Sequence, residues 1–248
     1  MNFGFLSTID EPLLPYMMTS ALSNGVDNII VICDKKVNSD KDRRIWQDRT
    51  GGSLRRGDDQ EITIYNMGDA NIPFLFVESH NNQQTKRIIN HYGISCLLNA
   101  GTPRKLSADI IGSVPNGVVN IHPGLLPNYR GCSCVEWAIY NDDVIGNTAQ
   151  FMDIGYDTGP IIMSRPCQFP TGASYQDIRV RVYREACNIA GHVLGLIQTT
   201  GLTPADATPQ PEGVYYDPIP DDKFSVVLEK IKGGHYRPRT AGPGGAPA

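Results

Sequence analysis

Asn120 and His122 stand two apart in the otherwise apolar run Val118-Val119-Asn120-Ile121-His122, which Pro123 ends. Such a run predicts a strand, and a strand's two-residue period puts both side chains on one face, at its carboxyl end. A carboxamide beside an imidazole suits a reaction that builds negative charge on an oxygen. The amide donates to that charge while the imidazole donates or moves a proton. A nearby carboxylate would favour the charged imidazole and fix its orientation. The stretch Met152-Asp153-Ile154-Gly155-Tyr156-Asp157-Thr158-Gly159-Pro160 offers two, Asp153 and Asp157. Asp157 lies 35 positions past His122, room for one helix and one strand before a return to the same sheet edge; Asp153 competes with it.

Each residue alone has a plainer use. An isolated histidine is most often a satisfied core residue, an asparagine at a strand end forms turns, and an aspartate before Thr158-Gly159 caps one. The pairing, followed by Leu125-Leu126-Pro127-Asn128-Tyr129-Arg130-Gly131, favours chemistry. Trp137 and Tyr140, at helical spacing, read as core.

The elements around the pair alternate. Short apolar runs at residues 3–6, 28–33, 73–77, 93–99 and 117–121 read as strands, and 13–22, 82–92 and 107–111 as helices between them. Strands separated by helices imply parallel pairing through right-handed crossovers, hence an open α/β sheet whose ligands bind beyond the strands' carboxyl ends. Residues 37–61 are polar and broken by glycines, an exposed insertion of uncertain helix content. Residues 148–152 and 160–164 are strand-like around a Gly-rich turn. Residues 174–199 form a long helix with Ile178, Val182, Ala186, Ile189, Val193 and Ile197 on one stripe.

Composition narrows the class. A chain of 248 residues, 40% hydrophobic and 19% charged, can bury a core without disulfides. A net charge of −4 argues against a general nucleic-acid or membrane-surface binder. No apolar run approaches the ~20 residues of a membrane span. The opening Met1-Asn2-Phe3-Gly4-Phe5-Leu6 lacks a signal peptide's basic region, so a cytoplasmic location is expected. Cys132 and Cys134 form a C-x-C pair without a second pair at zinc spacing; reduced thiols and no metal are expected.

The pattern N-x-H-P-G-L-L-P-x-Y-R-G followed by M-D-x-G-x-D-T-G-P-I resembles the signature of the folate-dependent formyltransferases. The match is close over residues 90–165, including Asn99-Ala100-Gly101-Thr102-Pro103, and loose over 1–200. The resemblance implies a Rossmann-like α/β core with a mostly parallel sheet and a catalytic triad of Asn120, His122 and Asp157. The co-substrate would be 10-formyltetrahydrofolate, with no metal. Asn120 and protonated His122 would stabilise charge on the formyl oxygen as an amine attacks, with Asp157 keeping His122 charged. Ala100, Gly101, Thr102, Met152, Asp153, Gly155 and Asp157 match segments that hold the pterin, Gly155 and Gly159 letting backbone approach a flat ring. Gly124, Tyr129 and Arg130 are candidate substrate contacts.

The acceptor is read by difference. Residues 6–12 are acidic and lack the glycines of a phosphate loop, unlike glycinamide ribonucleotide enzymes. The 48 residues after Thr200 are too few for the C-terminal barrel, about a hundred residues, of methionyl-tRNA formyltransferases. The expectation is therefore a sugar-nucleotide N-formyltransferase, most like those acting on a dTDP-4-amino-4,6-dideoxyhexose, often homodimers. Its nucleotide-sugar substrate and folate would be its partners, with no nucleic acid or membrane. The expected organisation is a catalytic core at 1–200, a small extension with a β-hairpin at 201–239, its strand at 214–217, and a disordered tail at 240–248. A formyltransferase acting on another small amine such as glycinamide ribonucleotide, a formyltetrahydrofolate hydrolase and a folate-binding module are the alternatives.

Overall fold

The computed structural model describes residues 1–54 and 71–236. In chain order its elements are β1 (Asn2–Thr8), α1 (Leu14–Ser23), β2 (Ile29–Asp34), α2 (Asp40–Thr50), β3 (Phe74–Val77), α3 (Gln83–His91), β4 (Ile94–Asn99), α4 (Ala108–Ile111), β5 (Val118–His122), β6 (Arg130–Gly131), α5 (Cys134–Tyr140), β7 (Gly146–Phe151), β8 (Ile161–Pro166), α6 (Tyr175–Thr200), β9 (Tyr215–Tyr216) and α7 (Asp221–Lys232).

Among the described residues seven strands form one sheet in the order β3-β2-β1-β4-β5-β7-β8. The first five run parallel, and β7 and β8 turn antiparallel. Strand alternation divides the core. Phe3, Phe5, Val31, Cys33, Cys96 and Leu98 pack on one face with α1 and α6. Leu6, Ile30, Ile32 and Leu97 pack on the other with Ile89 and Ile110. The stripe expected on α6, from Ile178 to Ile197, is buried. α6 starts at a capping box, Ser174 with Asp177, that satisfies its first free N–H groups. Gly191 and Gly195 let it approach α1 closely: a Cβ on either would meet the backbone of Ser20 or Asn24.

Two expectations change. The polar insertion contains α2, which Ser39 and Asp42 nucleate through a capping box. Its Trp46 packs on Tyr183 of α6 at 4.9 Å between ring centroids. The rest of that insertion's helix question, from residue 55, lies outside the described residues, as does the tail at 240–248.

The extension is also not a hairpin. β9 pairs in parallel with β6, 85 residues earlier, and α7 follows it. The reason is side-chain packing: Tyr216 stacks on Tyr129 at 5.3 Å and tilts against Trp137 at 5.0 Å. Phe224, Val227 and Ile231 of α7 join Tyr129, Val135 and Ile139 in a third apolar cluster. The described part of residues 201–239 thus packs onto residues 129–140.

Candidate active site

β5 carries Asn120 and His122 at the carboxyl side of the sheet, and β7 supplies their neighbours. The antiparallel register sets Gln150 opposite Asn120 and Thr148 opposite His122. The Thr148 hydroxyl donates to the Gly124 carbonyl at 2.8 Å and accepts from the Leu126 N–H at 3.1 Å, which ties down the loop after β5. Because β7 runs against β5, it ends beside Val118, where the Met152 N–H donates to the Val118 carbonyl. The loop after it must fold back to bring Asp157 near His122. Asp157 thus lies in the β7–β8 loop and returns to the carboxyl end of β5 beside His122.

His122 is 4% exposed. Its Nε2 lies 2.7 Å from the Tyr129 carbonyl oxygen. A carbonyl only accepts, so Nε2 carries a hydrogen. Nδ1 faces Asp157 Oδ1 at 3.4 Å. Burial holds the imidazole below its ordinary pKa, with Asp157 and the Tyr129 carbonyl pulling the other way. The half-buried Asp157 carboxylate thus faces a buried imidazole. Cys134 Sγ sits 3.3 Å from His122 Nε2, and burial pushes that thiol up to about 12, so it stays protonated.

Of the two acids, Asp157 is the one beside His122. Its Oδ2 accepts from the Gly131 N–H at 2.9 Å and its Oδ1 from Gln150 Nε2 at 3.1 Å. Asp157 has φ 55°, in the left-handed region that aspartate tolerates better than most residues. Gly131, at φ 87°, has no room for a side chain against Tyr215 and the Tyr216 carbonyl. Asp153 is spent inside the loop, accepting from the Gly155 N–H and the Thr158 hydroxyl at 2.9 and 2.7 Å.

Asn120 Oδ1 accepts from Asn99 Nδ2 at 2.9 Å, and Asn99 Oδ1 accepts from the Thr102 N–H at 2.9 Å. A backbone N–H can only donate, so it fixes Asn99, which in turn fixes Asn120 with Nδ2 outward. Among the described residues Nδ2 has no partner. Asn120 lines a small cavity of about 20 Å³ together with Gln150, Met152, Asp153, Gly155, Asp157, Thr158 and Gly159. His122 does not line it, and both of its ring nitrogens turn to protein atoms.

The remaining candidates have mixed placements. Thr102 donates its hydroxyl to His80 Nδ1 at 2.6 Å, since His80 Nε2 is turned to the Ile32 carbonyl at 2.9 Å. The Ala100 carbonyl accepts from Ser7 at 2.7 Å, and Gly101 abuts Glu11. Gly155 and Gly159 have no room for a side chain against Thr158 and the Phe151 carbonyl. A Cβ on Gly124 would lie 2.6 Å from the Tyr129 carbonyl and 2.9 Å from His122 Nε2. Tyr129 is buried, its hydroxyl bonded to Asp143, and it serves His122 through its carbonyl. Two nitrogens of Arg130 turn to Gln210 and Pro211 of the C-terminal segment. Gln150, Thr148 and Gln210 had no assigned role in the sequence. For the first two a signal existed: polar residues alternating in an apolar strand.

An unpartnered amide donor beside a carboxylate that faces a buried imidazole can stabilise a developing oxyanion and accept a proton from a nucleophile. This donor set fits a formyl oxygen. Among the described residues no cluster of His, Cys, Asp or Glu matches a metal site, and no helix is long and apolar enough to cross a membrane.

Comparison with known proteins points the same way. A methionyl-tRNA formyltransferase of Trichlorobacter lovleyi is 32% identical over 91 residues, 36% of this chain and 29% of that protein. The chain spans less than half the length of each of the first such relatives it matches. In fold it is similar to glycinamide ribonucleotide transformylase 1 from Symbiobacterium toebii (TM-score 0.59, 20% identity, 80% of this chain and 88% of that one). It is also similar to a sugar N-formyltransferase from Shewanella sp FDAARGOS_354 (TM-score 0.57, 14% identity, 93% and 88%). A third is the formyltransferase PseJ from Anoxybacillus kamchatkensis, solved with UDP-4,6-dideoxy-4-formamido-L-AltNAc and tetrahydrofolate (TM-score 0.53, 18% identity, 80% and 90%). At these identities the likeness is one of fold. The formyl transferase family model matches residues 14–194, nearly three quarters of the chain and the whole of the site from Asn99 to Asp157, and the chain belongs to that family.

Proposed function

We propose that this chain transfers the formyl group of 10-formyltetrahydrofolate to the amine of a nucleotide-linked amino sugar, of the dTDP-4-amino-4,6-dideoxyhexose type. The observation that carries formyl transfer is the convergence of Asn120, with its free Nδ2, on the Asp157–His122 pair in a member of this family. The folate supplies the formyl carbon; the cavity-lining residues Met152 to Thr158 and the Asn99–Thr102 turn would hold it. Asn120 Nδ2 donates to the formyl oxygen as charge grows there. Asp157, the member of the pair that lines the cavity, takes the proton the attacking amine releases. His122 Nδ1 shares that proton, and its Nε2–H, bonded to the Tyr129 carbonyl, keeps the ring from turning away. A new N–C bond forms on the acceptor as the bond to the folate nitrogen breaks, and that nitrogen recovers the proton.

One observation supports a sugar acceptor. The turn after β1 presents Asp10 and Glu11 rather than a glycine-lined phosphate cradle. A second reading, transfer to the amine of an aminoacyl-tRNA, is favoured by the methionyl-tRNA relatives and opposed by the net charge of −4. The test is mass spectrometry for the gain of one CO unit, with formyl-folate present, across amino-sugar nucleotides, glycinamide ribonucleotide and methionyl-tRNA. Gain on an amino-sugar nucleotide alone is expected. Gain only on another acceptor overturns the sugar assignment, and tetrahydrofolate release without any acceptor would make the chain a hydrolase.

A further inference from the structure

Gln210 lies in the segment between α6 and β9, far in sequence from the site, yet it touches four parts of it. Its Oε1 accepts from Arg130 Nε at 3.2 Å and Nη2 at 2.9 Å. A guanidinium only donates, so this contact fixes which end of the amide points where. The Nε2 end then faces three acceptors: the Gly159 carbonyl at 2.6 Å, the Asp157 carbonyl at 3.1 Å and Gln150 Oε1 at 3.1 Å. Gln150, 2% exposed, is fixed in turn, and its own Nε2 donates to Asp157 Oδ1. That oxygen is the one facing His122 Nδ1. Arg130, Gln210, Gln150 and Asp157 thus form a hydrogen-bond chain with a single direction.

We infer that Gln210 is a positioning residue for the formyl transfer proposed above, on which this inference rests: through Gln150 and the backbone of residues 157–159 it aims the Asp157 carboxylate at His122. The packing of the C-terminal segment supports this. β9 pairs with β6, whose Gly131 N–H holds the other oxygen of Asp157. Both oxygens of that carboxylate therefore depend on the segment beyond α6, one through Gln210 and one through β9.

The test uses Gln210→Glu, which keeps the shape and the Arg130 contact but loses every donor, and Gln210→Ala. His122 is followed by NMR titration of the labelled imidazole, identified by the signal missing in His122→Gln, with thermal melting and formyl-transfer kinetics alongside. In Gln210→Ala the Gln150 amide is no longer fixed and the Asp157 carboxylate loses its aim at His122, so its pull on the imidazolium weakens and the titration midpoint moves down by about half a pH unit. The transfer kcat falls about tenfold with the acceptor KM little changed. In a Gln150→Leu background, where the chain is already cut, Gln210→Ala adds no further shift. A midpoint that stays put while the melting temperature falls would make Gln210 merely structural and overturn the inference. The titration needs no substrate, so a protein that transfers no formyl group but still shows the shift would refute the proposed function alone.

Discussion

Asn120 and Gln150 face each other across the antiparallel β5–β7 pair, and each accepts from a second amide, Asn99 for one and Gln210 for the other. One bond leaves Asn120 with a free donor; the other delivers a donor to Asp157.

The first prediction concerns that free donor. Asn120→Asp keeps the shape and still accepts from Asn99, but it offers an acceptor where the transition state needs a donor. Transfer should fall ~10²–10³-fold in kcat with the melting temperature within a few degrees of the parent. Steady-state kinetics and a thermal melt check both halves, and an unimpaired rate would remove Asn120 from the chemistry.

Gly124 is placed to test the His122–Tyr129 contact without touching either side chain. Alanine there drives a methyl between the Tyr129 carbonyl and Nε2. A cost of about 1–3 kcal/mol in denaturant unfolding is expected, together with a lower kcat. Unchanged unfolding would show that the loop yields freely.

Acid should act on His122. Its folded pKa is held below the ordinary 6.5 by burial. A depressed base contributes stability that is present above 6.5 and lost as the pH falls through the folded value. The parent should therefore lose more melting temperature between pH 7 and pH 4.5 than His122→Gln does. Parallel acid profiles for the two proteins would contradict this.

Glu11 has the opposite sign. Burial raises its carboxyl to about 7, with Asp10 adding to the effect and the Leu13 N–H opposing it. Its contribution to stability is complete below 4.5 and is lost as the pH rises through about 7. Glu11→Gln should flatten the melting profile between those limits and raise the melting temperature at pH 8. A variant that melts lower at pH 8 would mean the ionised carboxylate is doing something useful there.

Periodicity was enough to read the strands and the long helix, because burial on one face leaves a mark every second or every third to fourth residue. Asn120 and His122 were legible for the same reason: two polar residues interrupted an apolar strand. What the sequence could not show was direction and distance. Nothing in residues 146–151 says that β7 runs against β5, and that reversal decides the route by which Asp157 arrives. The Tyr215-Tyr216 strand looked like half of a hairpin because its true partner, Arg130-Gly131, lies 85 residues away. Gln210 left no trace, since a lone glutamine in a Pro-rich segment has no period and its role exists only after folding. The contacts of Arg130 with the C-terminal segment and of the Tyr129 carbonyl with His122 likewise exist only after folding.

The two hydrogen-bond chains also bear on how many ways the site can be wired. Four primary amides, Asn99, Asn120, Gln150 and Gln210, each have two orientations that differ only by exchanging nitrogen for oxygen, sixteen combinations in all. The Thr102 N–H at one end and the Arg130 guanidinium at the other cannot exchange, and only one combination satisfies every link. A site built on unanchored amides would divide its molecules among miswired copies of the same shape. Here each folded molecule presents the same polarity to whatever enters.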